Sequence, residues 1–200
     1  SWYLVNFKVL TSSHFGVSQK RKRLFVIGIR EDVGKTVGIT DEKDILQLYP
    51  IGSNYEPTIK DCLEDLDIDV RERNFLLTKC RKSSTYEILR HLPVNPDRSL
   101  KPEHVITGWK GDFNLIRSSW DKPCGTLTQL GQQIGQGGVH HPSENRMFTI
   151  SELKRLTGLP DDFVLTGTFN QKAERICRMV PPLMIKHLSS SIYENVLSKL

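Results

Sequence analysis

The first 30 residues contain no aspartate and no glutamate, yet they carry six lysines and arginines. That absence leaves the N-terminal stretch uniformly cationic and suited to a polyanion. No apolar run reaches the roughly 18–20 residues that a membrane helix needs. A signal-peptide pattern is missing too: Asn6 and Lys8 interrupt the apolar opening from Trp2 to Leu10, and no small-residue cleavage site follows. The four cysteines (Cys62, Cys80, Cys124, Cys177) form no C-x-x-C pair. This argues against a zinc ribbon and gives no support to a disulfide framework. A reducing cytoplasm is the expected setting. The chain also lacks an initiator methionine and opens at once on apolar residues, which predicts a start inside a folded unit.

What is present fits a globular protein. Two hundred residues, 38% hydrophobic and 26% charged, suffice for one ordinary domain or two small ones. The net charge of +5 is modest but unevenly placed. Residues 31–72 hold twelve acidic and four basic residues, and residues 73–110 hold eight basic and three acidic. Two basic blocks therefore flank an acidic one. Either they are solvated surface or they meet a polyanion such as nucleic acid.

Periodicity places the elements. Residues 2–10 read as a strand, and Leu24 to Ile29 as a strand buried on both faces. Residues 31–40 read as a glycine-containing loop, and 41–49 as a short helix or irregular link. Thr58 to Leu66 predicts a short helix capped by Thr58. Residues 71–84 look polar, with an apolar patch at Phe75-Leu76-Leu77, and 85–91 form a helical turn. Residues 94–116 and 131–142 read as loops, the former with short strands. Thr149 and Glu152 form a capping box for a helix over 150–156, which stops at Gly158. Two more helices, 171–180 and 182–197, meet at Pro181-Pro182.

The most informative stretch runs from Phe15 to Gly28, with Gln19, Arg21 and Arg23 at alternate positions. In extended backbone these three side chains share one face, and Lys20 and Lys22 take the other. An amide and two guanidinium forks would converge there, suited to phosphate or a carbonyl oxygen. The bland reading is a basic sheet edge.

This segment resembles the Gln-x-Arg-x-Arg motif, the eighth, of cytosine-5 DNA methyltransferases. Two further segments follow in that family's order. The stretch Arg117 to Pro123 with Thr126 and Thr128, then His141-Pro142, Arg146, Thr149, Glu152, Leu153, Arg155, Leu156 and Pro160 to Phe163, resembles the ninth motif. Arg175 to Pro182, with the helix after it, resembles the tenth. Residues 34–116 stand where the family places its variable target-recognition region. A branch of this fold methylates transfer RNA and carries a Cys-Phe-Thr signature there; this chain has none.

The resemblance implies an α/β fold: the C-terminal portion of a Rossmann-like catalytic domain plus a small, mixed, loop-rich target-recognition domain. Residues 1–52 would end the catalytic domain, 53–168 form the recognition domain, and 169–200 return as helices to the catalytic domain. It also implies duplex DNA as partner, a flipped-out cytosine as target, and S-adenosylmethionine as cofactor. On this pattern Arg23 contacts the cytosine's carbonyl oxygen, Arg21 a neighbouring phosphate or the loop, and Gln19 orients the loop. Val180, Pro181 and Arg178 fall on the cofactor side, although Arg178 stands where asparagine is common. Arg71, Arg73, Lys79, Arg81, Lys82, Trp109, Lys110 and Asn114 are the candidates for nucleic-acid contact. Arg146, Glu152 and Arg155 read as structural, Cys177 as a small packing residue, and His140-His141 as loop surface with no metal role.

The family's cofactor loop is not found in these residues. Its Pro-Cys nucleophile and Glu-Asn-Val triplet occur only as Pro123-Cys124 and Glu194-Asn195-Val196, in the wrong order. The expectation is therefore a C-terminal fragment or split subunit of a restriction-modification enzyme, inactive alone. Its partner would be the N-terminal catalytic half, and an exposed half-sheet would promote self-association. The competing class is a DNA-binding module without catalysis.

Overall fold

The apolar opening folds as one arm of a long hairpin. A computed structural model describes residues 2–110, 115–129 and 138–200. Strand β1 (Tyr3–Thr11) pairs antiparallel with β2 (Lys22–Arg30), in register from Tyr3 opposite Arg30 to Thr11 opposite Lys22. Ile27 and Ile29 face inward with Leu10. The other face is apolar but open: Phe7 is 65% exposed and Val26 62%. The expectation that β2 is buried on both faces is thus corrected. Nothing among the described residues covers the outer face, because the sheet has only two strands.

A helix, α1 (Glu31–Val37), follows directly where the sequence suggested a loop. Glu31 and Asp32 stand at its positive end and Lys35 near its negative end, which favours helix. Gly34 had suggested a loop, but it is a packing glycine. A Cβ there would lie 2.5 Å from the Ile39 carbonyl oxygen. The acidic stretch then makes a 3-10 turn over Asp44–Leu48 that packs on β1.

Helix α2 (Ile59–Leu63) starts at Thr58 as expected, with a capping box completed by Asp61. Helix α3 (Val70–Cys80) is the second departure. Its contiguous Phe75-Leu76-Leu77 hides the helical period, because only Leu76 and Cys80 are fully inward. The Asp69 carboxylate caps it by accepting from the amides of Arg71 and Glu72. Helix α4 (Ser84–Leu89) and a 3-10 turn over Pro102–His104 lead to β3 (Ile116–Arg117). That strand pairs in parallel with β4 (Val139–His140). Most of the glycine-rich stretch expected as a loop (130–137) lies outside the described residues. Helix α5 (Ile150–Thr157) has the expected capping box and ends at Gly158, whose φ of +76 suits glycine. Helices α6 (Phe169–Arg178) and α7 (Pro182–Asn195) complete the chain, separated at Pro181.

Two apolar cores organise these elements. A hairpin core joins Leu10, Phe15, Ile27 and Ile29 to Ile45, Leu48, Met184 and Leu188. A central core joins Ile59, Leu127, Phe148, Leu153 and Leu156 to Ala173, Ile176 and Cys177. Helix α6 packs on α5 in the central core, and α7 packs on the hairpin.

Candidate nucleic-acid interface and target-base loop

The Gln19–Arg23 loop sits where the two cores meet. After β1, a turn over Ser12–Phe15 ends at Gly16, and the chain runs extended through Val17 into β2. The alternation expected for the loop is present. Gln19 is 1% exposed and Arg21 6%, while Lys20 and Lys22 point to solvent. What buries them is the segment after Pro123. The Cys124 amide donates to Ser18 O, the Lys20 amide donates to Cys124 O, and Thr126 Oγ1 donates to Lys20 O. Arg21 Nη1 donates to Leu127 O at 3.1 Å.

Burial, helped by the charge of Arg23, pulls the Arg21 pKa below its ordinary value. The two guanidinium groups are therefore neighbours. Arg23 is half-buried, and among the described residues its Nη1 donates only to the Lys22 carbonyl, at 2.7 Å. Gln19 Nε2 and Arg21 Nε are buried without a hydrogen-bond partner among the described residues. Such orphaned donors are uncommon and suit a site that binds something. Lys20 is tied back by Glu56 at 2.8 Å.

The four cysteines are free thiols, and burial pushes each of them up, Cys177 to about 12. Cys124 is fully buried beneath the loop. None has the depressed pKa of an activated nucleophile. Cys177 packs in the central core and lies close enough to Arg21 to interact electrostatically. Asn195, from the Glu-Asn-Val triplet, donates to the Ser191 carbonyl on its own helix.

The residues given a cofactor role do not form a cradle. Arg178 is exposed and paired with Glu174 at 2.8 Å along its own helix. Val180 packs on the hairpin core, and Pro181 is buried at the start of α7. These two contribute apolar side chains.

The recognition candidates sort by helix face. Arg71, Phe75 and Lys79 follow at four-residue spacing on the open face of α3, with Lys79 Nζ 5.7 Å from the Phe75 ring centre. Arg81 and Lys82 continue this exposed row. Arg73 lies on the other side, where its guanidinium grips Glu144 at 2.6 Å. Lys110 is exposed and Trp109 half-buried, while Asn114 lies outside the described residues.

Behind α3 lies a buried polar framework. Arg146 and Glu152 are both fully buried and joined through two hydrogen bonds of 2.7 and 2.8 Å. Burial opposes ionisation of Glu152, but the Arg146 hydrogen bonds outweigh it and hold the carboxyl below its ordinary range. Glu144 is likewise raised by burial yet brought down to about 2 by Arg73 and Arg146. Arg155 binds Asp161 and Asp65 on the surface, as a structural residue would.

The histidine pair is a further correction. His140 and His141 are buried, at 2% and 4% exposure, not loop surface. His141 Nδ1 accepts from the amides of Ser143 and Glu144, and its ring meets Trp120 edge-on. Ser143 and Glu144 are close in sequence, but the Trp120 that covers the ring lies 21 positions away, where spacing gave no signal. Among the described residues no group of metal-binding side chains is gathered.

Sequence reasoning also passed over Arg117. It is fully buried and faces no carboxylate among its hydrogen-bond acceptors. It donates instead to the carbonyls of Leu89, Leu92, His141 and Glu144 and to Asn145 Oδ1. Burial lowers its pKa to about 10.

The framework carries a pH dependence. Burial lowers the pKa of both His140 and His141 to about 4, against an ordinary value near 6.5. Below pH 6.5 the unfolded chain takes up protons that the folded chain refuses. Stability therefore falls from pH 6.5 towards 4, by about 1.4 kcal/mol per pH unit for each histidine. Urea midpoints should hold steady from pH 8 to 7 and drop below 6.5. A flat profile from pH 7.5 to 5 would contradict the burial of these rings.

No helix among the described residues is long and apolar enough to cross a membrane. The chain is 29% identical over 199 residues to the Type II methyltransferase M.Sau96I of Staphylococcus aureus, covering 95% of this chain and 43% of the relative. It is 31% identical over 183 residues to the Type II methyltransferase M.Eco47II of Escherichia coli, covering 87% and 42%. The chain thus spans less than half the length of these curated relatives. Its fold is similar to that of an E. coli prophage protein named as a DNA modification methyltransferase, with a TM-score of 0.63. That likeness covers 98% of this chain and 61% of the other, at 18% identity. The C-5 cytosine-specific DNA methylase family model matches residues 2–194. With that match over nearly its whole length, the chain belongs to the C-5 cytosine-specific DNA methylase family.

Proposed function

We propose that this chain serves DNA cytosine-5 methylation, in a restriction-modification setting, by holding the extruded cytosine and reading the duplex around it. Arg23 donates to the carbonyl oxygen of the flipped base, Arg21 braces the loop against Leu127, and Gln19 orients it. The row Arg71, Lys79, Arg81 and Lys82 tracks phosphates, so binding weakens as salt rises. The observation that carries this reading is the juxtaposition of Arg21 and Arg23 at the meeting of the two cores, beside orphaned buried donors.

Family members use S-adenosylmethionine as methyl donor. The thiolate that attacks the ring, and the groups that hold the donor, come from methyltransferase sequence outside these 200 residues. The raised pKa of every thiol here supports that division. The same observation favours a second reading for the chain on its own, a DNA-binding module without catalysis.

The test compares the chain alone with the chain joined to the N-terminal half of a family relative. Labelled methyl should reach carbon 5 of cytosine in duplex DNA only with the joined protein. Transfer by the chain alone would refute the division. Preferential competition by transfer RNA over duplex DNA would refute the substrate.

The complementary half would cover the open face of the hairpin, where Tyr3, Val5, Phe7, Val9, Leu24 and Val26 are exposed. A patch of that kind seeks a partner. The isolated chain should therefore self-associate, with a light-scattering mass above one chain. Phe7→Lys combined with Val26→Glu should return it to a single chain. A single-chain mass for the unmodified protein would refute the expectation.

A further inference from the structure

The hairpin ladder ends at the pair Thr11 and Lys22, and the next residue, Ser12, takes over by its side chain. Ser12 is fully buried. Its amide donates to Arg21 O at 3.0 Å. Its hydroxyl accepts from the Arg21 amide at 3.1 Å and donates to Gln19 O. Both main-chain polar groups of Arg21 therefore reach Ser12, although the Arg21 amide is shared with the Gln19 carbonyl at 3.1 Å, and that carbonyl also accepts from the Ser12 hydroxyl. From the opposite side Thr126 Oγ1 donates to Lys20 O at 2.7 Å. Consecutive carbonyls of the loop are held by two hydroxyls from different parts of the chain.

A hydroxyl can donate once and accept at the same time, and Ser12 uses both capacities. An alanine could fill the space but would leave the Gln19 carbonyl buried without that donor. We propose that Ser12 is a positioning residue: its hydroxyl fixes the backbone from Gln19 to Arg21 and thereby aims Arg21 and Arg23. Its catalytic consequence rests on the target-base role proposed above for those arginines.

Two measurements test it. Backbone amide exchange is followed first in the unmodified chain, Ser12→Ala and Ser12→Thr. In Ser12→Ala the Arg21 amide should exchange at least ~10-fold faster, while the Phe25 amide within the ladder is unchanged. Ser12→Thr, which restores the hydroxyl, should recover most of the protection. Arg21 exchange within about twofold of the unmodified chain in Ser12→Ala would overturn the proposal. Methyl transfer is followed second, in the joined protein. Ser12→Ala should lower kcat by ~10-fold or more with little change in KM for DNA, the mark of a group that acts through geometry rather than binding. An unchanged kcat would overturn the proposal. If the unmodified joined protein transfers no methyl group, the target-base reading fails, and the exchange result alone decides the role of Ser12.

Discussion

Replacing Glu152 with alanine should destabilise the folded chain by about 3 kcal/mol, the low end of the cost of breaking a buried ion pair, because Arg146 keeps Glu144 as a partner. Arg146 would keep its charge at zero exposure with its two hydrogen bonds to Glu152 gone. The same change removes one half of the α5 capping box, because Glu152 Oε2 also accepts from the Thr149 amide at 2.7 Å. A protein of ordinary stability has only about 5–15 kcal/mol to lose. Urea denaturation measures it directly. Arg146→Ala should cost at least as much, because it strands buried Glu152, whereas in Glu152→Ala the guanidinium keeps its pairing with Glu144. Breaking the exposed pair of Arg90 and Glu87 should shift stability by less than ~0.5 kcal/mol. A loss below about 1 kcal/mol for Glu152→Ala would show that Arg146 is not held as described.

Arg23→Ala should lower kcat/KM for methyl transfer by about 10²–10³-fold in the joined protein, the scale of losing one preorganised donor at a reacting group. The fold should survive, because among the described residues the Arg23 side chain donates only to the neighbouring Lys22 carbonyl. Arg23→Lys should recover little, since an ammonium keeps the charge but not the planar fork. Arg21→Ala should cost both stability and activity, because Arg21 also binds Leu127 across the two cores. Unchanged transfer by Arg23→Ala would sink its assignment as the target contact. Equal loss of stability in the Arg21 and Arg23 variants would blur the distinction drawn here between brace and contact.

Local chemistry was readable in the residues; long-range chemistry was not. The caps at Thr58 and Thr149, the stop at Gly158 and the hairpin strands follow from neighbours three or four positions apart. The alternation of Gln19, Arg21 and Arg23 was legible for the same reason. What covers them was not, because Cys124 to Leu127 lie more than a hundred positions away. Helix α1 was hidden by Gly34, which packs closely where a loop glycine would turn the chain. Helix α3 was hidden because most of its apolar residues do not face inward. Arg73 looked like its neighbours until Glu144, far along the chain, was placed beside it. The burial of His141 depends on Trp120, Phe148 and Glu152, which spacing could not gather.

The buried guanidinium of Arg117 bears on how such a protein could change what it reads. It anchors the chain at Leu89 and Leu92 on one side and at His141 and Glu144 on the other. The strand bridge from Leu100 to Arg117 closes the stretch between them like a clasp. Residues inside that clasp, Trp109 and Lys110 among them, can vary in length and side chain without loosening the anchors. On the function proposed above, such a stretch is a place where new sequence preferences could be grafted while the Gln19–Arg23 loop and its supporting cores stay as they are.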